Sequence, residues 1–308
     1  FIPQGEFVAY GALTLAALQA GKVPATLWLI LALGAAVMVL DCAQALRHGS
    51  GRRVPRIVAV NLAAPLLLWL LLSNVDLVGL PLVGQIVLAL AIVVPLGPML
   101  YRLAYQPIAE ASVLMLLIVS VAVHVVLIGL GLLFFGAEGT RTPAFTEGTL
   151  DLGATTLQYQ TLWILASSAV LIVALYAFFE RTIYGKALRA TALNRTGARL
   201  MGISTTMAGK LSFTLAALIG AFSGILISPI TTLYYDSGFL IGLKGFVGAI
   251  IGGLASYPVA AAGALLVGLL ESYSSFYASA YKEVIVFTLI IPVLLWRSLN
   301  THHSEEEE

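Results

Sequence analysis

Residues 111–136 read ASVLMLLIVSVAVHVVLIGLGLLFFG, a stretch with no Asp, Glu, Lys or Arg in it. The hydrocarbon core of a bilayer is about 30 Å thick and is crossed by roughly 20 apolar residues in helical form. This stretch is therefore long enough to span as one helix. It is apolar on every face, whereas a surface helix of a soluble protein keeps a polar side. His124 is its one side chain able to take a charge.

The same texture continues on both sides. Hydrophobic runs bounded by polar breaks fall at 6–19, 24–45, 56–73, 82–101, 160–179, 207–230, 240–271 and 283–297. Apolar residues make up 60% of the chain, charged residues 10%, and mean hydropathy is +0.99. Soluble domains carry about 25% charged residues, so an ordinary water-soluble fold is excluded. Backbone polar groups inside lipid must be satisfied within the segment that carries them, which predicts an all-α, polytopic transmembrane protein. The 240–271 run is too long for one simple span and is interrupted by Gly252, Gly253, Ser256, Tyr257 and Pro258. It predicts two shorter helices with a break between them. Such a break is tolerated at membrane depth only where protein or a water-filled cavity covers the freed backbone groups, which makes this the predicted pathway element.

Basic residues set the expected orientation. Arg47, Arg52, Arg53 and Arg56 share one loop, Arg102 occupies another, Arg181, Lys186, Arg189, Arg195, Arg199 and Lys210 a third, and Arg297 the carboxyl end. These are twelve of the 16 Lys and Arg residues, and they fall on alternate loops. Lys and Arg accumulate in short cytoplasmic loops. The carboxyl end and these loops are thus expected inside, and the 137–159 loop, with Glu138, Glu147 and Asp151 against Arg141, outside. The net charge of +1 sums both sides of a membrane and says nothing about partners.

Catalytic signatures are missing. No G-x-x-x-x-G-K-[ST] loop occurs: Lys22, Lys186 and Lys210 follow glycines but precede Val23, Ala187 and Leu211. There is no H-E-x-x-H, no G-x-S-x-G and no metal-ligand cluster, and Cys42 is the single cysteine. No enzymatic, metal-binding or nucleic-acid-binding role is predicted.

Ionisable residues inside spans are costly and are functional candidates by default. Lys244 reads either as a snorkelling or helix-pairing residue or as part of a pathway. His124 reads as an interhelical hydrogen-bonding residue or a proton relay. Asp41 is expected to pair with Arg47 or a neighbouring charge. Glu271 and Asp236 fall near outer boundaries, where solvation or docking of a substrate-delivery protein are the two readings. Gly220 with Gly224, Gly238 with Gly242, and Gly248 with Gly252 are spaced four apart, a pattern that lets helix backbones approach closely, for packing within one subunit or for gating.

Residues 180–206, ERTIYGKALRATALNRTGARLMGISTT, are polar and basic between two long apolar runs. They read as a solvated loop that fixes topology or as a helix that docks into a partner's groove, with Ala187, Ala190, Ala198 and Met201 giving apolar contacts. Within this stretch Gly185-Lys186-Ala187, Arg189-Ala190, Ala192, Asn194-Arg195, Ala198, Leu200 and Gly202-Ile203 trace G-K-A-x-R-A-x-A-x-N-R-x-x-A-x-L-x-G-I. Together with Gly242-Leu243-Lys244-Gly245-Phe246, Gly252-Gly253-Leu254-Ala255-Ser256-Tyr257-Pro258, Gly263, Gly268 and Glu271, and with Tyr101-Arg102-Leu103-Ala104-Tyr105-Gln106-Pro107, this resembles the branched-chain amino acid permeases of ABC importers, a family that includes urea-type permeases. The resemblance runs through nearly all the chain. It departs at Gln106, where the family has arginine, at Leu193, usually polar, and near Leu117 to Val121, which lack a threonine-isoleucine-glycine pattern. The opening Phe1 to Phe7 resembles a family segment ending in Gly-Glu-Phe that follows a first helix, so a further amino-terminal helix is expected.

The resemblance implies a permease domain over 1–300, and the like-charge run Glu305 to Glu308 after His302 and His303 predicts a disordered tail over 301–308. The resemblance also implies a coupling helix that contacts an ATPase through Gly185, Lys186, Arg189, Asn194, Arg195, Arg199 and Gly202. ATP and Mg would then belong to two separate cytoplasmic ATPase subunits, with no cofactor in this chain. The other implied partners are a second, related permease and a periplasmic substrate-binding protein, and the implied location is a bacterial inner membrane. The implied cargo is branched-chain or other hydrophobic amino acids; urea, amides or aromatic acids are alternatives inside the family, and an ATPase-independent secondary transporter is the alternative outside it. A zwitterionic cargo needs donors for its carboxylate and acceptors for its ammonium, which broken-helix ends supply. Lys244, Gly245, Gly252, Gly253, Ser256 and Tyr257 are the expected pathway residues.

Overall fold

The computed structural model describes residues 2–47, 49, 51–151, 153, 156–251 and 257–300, and the side chains of all of these except 53, 257 and 296–300. The helices, in chain order, are α1 Gln4–Gln19, α2 Thr26–Arg47, α3 Val54–Asn74, α4 Leu82–Ile108, α5 Val113–Phe135, α6 Tyr159–Arg181, α7 Ile183–Leu193, α8 Arg195–Leu200, α9 Thr205–Ile227, α10 Ser237–Ile251, α11 Tyr257–Tyr277, α12 Lys282–Thr288 and α13 Ile290–Asn300. A short antiparallel hairpin, Thr149–Asp151 with Thr156–Gln158, precedes α6. Among the described residues seven helices are long and apolar enough to cross a membrane: α2 to α6, α9 and α11. The all-α polytopic expectation holds.

The 240–271 run is two helices, α10 and α11, as expected, and the residues between them lie outside those described. Two other runs resolve differently in detail. The 283–297 run is also two, α12 and α13. The 82–101 run extends to Ile108 through a widened turn, in which the Gln106 N–H bonds the Tyr101 carbonyl just before Pro107. A similar turn in α3 joins the Ala64 N–H to the Ala59 carbonyl just ahead of Pro65. Proline brings no N–H to the helical ladder, and such bulges re-register it.

The centre of the molecule is α1, the shortest of the early helices and the most buried. Twelve of its 16 residues are buried. It achieves this by glycine contacts. A Cβ on Gly224 of α9 would fall on the backbone of Val8, 2.7 Å from its carbonyl carbon, and one on Gly220 would stand 2.8 Å from Phe7 Cβ. On another side Gly238 and Gly242 of α10 meet Gly5, and on a third Tyr10 donates to the Leu127 carbonyl of α5 at 2.9 Å. Lipid gives helices no hydrophobic reason to associate, so close backbone approach carries the packing. The four-residue glycine spacings are packing positions, except that Gly252 lies outside the described residues.

The loops sort to two ends. At one, Arg102 of α4 is buried and bonds Asp41 Oδ1 at 2.6 Å and Gln44 Oε1 at 2.7 Å, both on α2. Arg195 donates to the Ala109 carbonyl, and Arg199 pairs with Glu110 at 2.7 Å. At the other end of α5, Thr140 and Leu233 exchange backbone hydrogen bonds of 2.9 and 3.0 Å, and Arg141 donates to the Pro229 carbonyl at 2.7 Å. Of the partners expected for Asp41, Arg47 or another nearby charge, the structure gives the latter, Arg102. Six residues apart on one helix, Asp41 and Arg47 point about 120° away from each other, whereas Arg102 faces Asp41 across the α2–α4 contact.

Candidate functional site

The 180–206 stretch folds as two short helices, α7 and α8, held in a corner between α6 and α9. Thr182 caps α7 by accepting from the Gly185 N–H at 3.0 Å, and Asn194 caps α8 by accepting from the Gly197 N–H at 2.7 Å. Side-chain oxygens at these positions satisfy donors that a helix start leaves open. Gly185 is obligatory for a different reason: a Cβ there would stand 2.5 Å from Phe179 Cα, so only glycine lets α7 fold back on the end of α6. α8 ends at Gly202, whose φ is +80°. The Gly202 N–H bonds Arg199 O at 3.0 Å and the Ile203 N–H bonds Ala198 O at 2.9 Å, the paired bonds of a Schellman cap. Ser204 then caps α9.

The arginines of this corner are engaged within the chain. Arg189 pairs with Glu180 at 2.5 Å and donates to the Phe179 carbonyl at 2.8 Å, both on α6. Arg195 and Arg199 reach the Ala109–Glu110 loop, and Arg199 Nε also bonds Thr205 Oγ1 at 3.3 Å. What faces outward is apolar: Ile183 is 84% exposed, Leu193 89%, Leu200 84% and Met201 82%, with Tyr184 and Lys186 beside them. Arg189, Arg195 and Arg199 hold the corner's shape while staying partly exposed, and the large apolar side chains share its surface with them and with Lys186.

The second constellation lies on the α10–α11 pair. Gly248 packs against Ala264, with only 3.1 Å between a would-be Cβ and Ala264 Cα, so the two helices touch along their backbones. Lys244 Nζ and Glu271 Oε1 meet at 2.5 Å across this contact. Lys244 is therefore a helix-pairing residue, and Glu271, expected to be solvated or to dock a delivery protein, is its partner. Gly245 stands on an open face beside it. Gly252, Gly253 and Ser256 lie outside the described residues, and of Tyr257 only its place at the start of α11 is described.

A family model described as the permease component of branched-chain amino acid transport systems matches residues 57–294. This chain belongs to that permease family. Its relatives include the high-affinity branched-chain amino acid transport system permease protein LivH of Escherichia coli K12, 31% identical over 258 residues that cover 80% of this chain and 82% of the relative. The corresponding protein BraD of Pseudomonas aeruginosa is 28% identical over 236 residues, 74% of this chain and 77% of BraD. A probable branched-chain amino acid transport permease of Methanocaldococcus jannaschii is 27% identical over 209 residues, 63% of this chain and 66% of its own. No solved structure matches the chain. With seven helices among the described residues long and apolar enough to cross a bilayer, it is a multi-pass membrane permease.

The permease also holds a polar pair that sequence reading left unexamined. Glu6, on α1, is fully buried, and its Oε1 lies 2.9 Å from Nδ1 of His124 on α5. Neither carboxylate oxygen, nor that Nδ1, has a hydrogen-bond partner of good geometry among the described residues. Phe239 of α10 stacks on the imidazole at 4.7 Å, and Asp236 adds a negative charge to the neighbourhood. His124 thus finds an interhelical polar partner in Glu6, at 2.9 Å but outside good hydrogen-bond geometry. The sequence singles out Glu6 only as part of Gly5-Glu6-Phe7, and its burial in the packed bundle is what reveals the pair.

Proposed function

We propose that this permease is the membrane subunit of a binding-protein-dependent ABC importer that carries branched-chain or other hydrophobic amino acids inward across a bacterial inner membrane. The observation that carries the reading is the α7–α8 corner. Its exposed Ile183, Leu193, Leu200 and Met201 form a docking face on a polar segment otherwise tied down by hydrogen bonds. A large apolar patch rimmed by polar groups marks an interaction surface, and an ATPase groove is its occupant. The relatives' names, permease proteins of high-affinity branched-chain amino acid transport systems, support the cargo.

In this reading the α7–α8 corner and the carboxyl end face the cytoplasm, in accord with the basic residues gathered at that end. Gly185, Asn194 and Gly202 shape the coupling helices, Arg189, Arg195 and Arg199 anchor them, and Lys186 joins the docking face. Two ATPase subunits supply ATP and Mg, a second related permease completes the membrane unit, and a periplasmic binding protein delivers the amino acid. Nucleotide-driven movement of the ATPases displaces α8, and the displacement biases the helices between outward-open and inward-open arrangements. Lys244, Gly245, Gly252, Gly253, Ser256 and Tyr257 line the path.

Reconstitution tests the reading. The permease, its neighbouring permease and ATPase subunits and the cognate binding protein are placed in vesicles, and uptake of labelled leucine, isoleucine and valine is followed with and without ATP. Uptake is expected only with ATP and the binding protein together. Uptake driven by an ion gradient with no ATPase present overturns it.

A further inference from the structure

We infer that Lys244 and Glu271 are the head-group subsite of the transport path, the place where a zwitterionic α-amino acid exchanges its two charges with an internal ion pair; the inference rests on the import reading above. α10, SGFLIGLKGFVGAII, and α11, YPVAAAGALLVGLLESYSSFY, each carry a single charged residue, and the two are opposite in sign and in contact at 2.5 Å. Charges in such apolar helices are expensive to keep and face the interior of an assembly or a hydrated cavity. This pair is not sealed: 21% of the Lys244 side chain and 30% of the Glu271 side chain stay accessible.

The pair also keeps unused capacity. An ammonium has three donors and a carboxylate about four acceptor sites, and the contact of Lys244 Nζ with Glu271 Oε1 uses one of each. One open face of α11, formed by Gly268, Ser272, Ser275 and Phe276, adjoins Glu271. A more apolar concavity of about 420 Å³, lined by Leu269, Tyr273 and Tyr277, shares Ser272 and Phe276 with it. A cation, an anion, two hydroxyls and an adjoining aliphatic and aromatic wall match the parts of an α-amino acid with a hydrophobic side chain. Its carboxylate pairs with Lys244, its ammonium with Glu271 and the Ser272 and Ser275 hydroxyls, and its side chain lies against Leu269 and Phe276. The internal ion pair closes again when the amino acid leaves, so neither helix is left with a bare charge.

A structural ion pair and a substrate subsite respond differently to reversal. In ATP-driven leucine uptake by the reconstituted complex, Glu271→Gln and Lys244→Gln are expected to lower uptake about tenfold or more, the size of losing one charge-assisted hydrogen bond. The double reversal Lys244→Glu with Glu271→Lys is expected to restore membrane abundance and thermal stability but not uptake, because the head group then meets its charges in the wrong order relative to the side-chain wall. Recovery of uptake in the double reversal overturns the inference, as does unchanged uptake in Glu271→Gln should the reversal not fold. A separate arm places Ser272→Cys in a Cys42→Ser background of the assembled complex and follows labelling by a charged thiol reagent. Leucine slows the labelling and leucinol, which lacks the carboxylate, does not; equal protection by both, or by neither, counts against the subsite. Wild-type complex without ATP-dependent uptake would instead defeat the import reading itself, leaving the two failures distinct.

Discussion

Replacing Leu200 and Met201 together by alanine removes the most projecting part of the α7–α8 surface and isolates its role. Both side chains are more than four-fifths exposed, and neither takes part in a hydrogen bond that shapes the corner, so the fold should not notice the change. Each Ala keeps only the Cβ, and at about 0.8 kcal/mol per buried CH₂ the two truncations delete roughly 4 kcal/mol of apolar contact if both side chains were fully covered by the ATPase. Interfaces realise only part of such burial, so about 2 kcal/mol is a reasonable expectation, or roughly a 30-fold weaker ATPase association. The assay is titration of the detergent-solubilised permease pair with purified ATPase subunits, read by a label away from the corner, with the thermal midpoint of the variant as control. The reasoning fails if the double variant keeps the wild-type dissociation constant at unchanged thermal stability, because the exposed apolar face would then touch nothing in the motor.

Three further outcomes follow from the same geometry. Gly202→Ala forces an L side chain to φ +80° at the end of α8 and is expected to cost about 1 kcal/mol; paired with Arg189→Ala it should uncouple ATP hydrolysis from uptake while membrane insertion persists, checked by comparing turnover with transport. Asp41→Ala leaves the buried Arg102 guanidinium facing a lost partner, with Gln44 alone remaining, and should lower stability by about 3 kcal/mol in a thermal melt. Gly224→Ala drives a methyl group into the Val8 backbone and should cost about 1–3 kcal/mol, read as a lower melting temperature, whereas Gly245→Ala, with nothing within 4 Å of the new Cβ, should leave it unchanged.

Long apolar runs were legible because spanning is a matter of length and hydropathy, which local sequence records; that is why α2 to α6, α9 and α11 coincide with expected runs to within several residues. The corner was legible as a polar segment between spans, and its caps at Thr182 and Asn194 have the residue types that helix starts favour. What sequence could not reveal was direction. Arg189, Arg195 and Arg199 read as charges offered to a partner, yet they turn back on Glu180, Ala109 and Glu110, and the outward face falls to Leu193, Leu200 and Met201. Pairings across long separations were equally hidden: Asp41 with Arg102, Lys244 with Glu271 and Glu6 with His124 depend on which helices touch, and no periodicity encodes that.

The helix that begins three residues beyond Gly202 is the same helix whose Gly220 and Gly224 hold α1, and α1 in turn holds α10 through Gly5 and Gly238. At Gly224 and Gly238 backbone meets backbone, with no long side chain between to change rotamer and take up a displacement. Packed interiors are close to crystal density and deform little, so under the proposed import reading a shift of α8 would pass to α9, α1 and α10 as rigid motion, and α10 carries Lys244. In that reading the glycines would connect the α7–α8 corner to the Lys244–Glu271 pair. The buried Glu6 carboxylate, 2.9 Å from His124 and without a well-formed hydrogen bond among the described residues, sits where α1, α5 and α10 meet. A buried polar group in that state costs stability, which sets this junction apart from the glycine joints of α1.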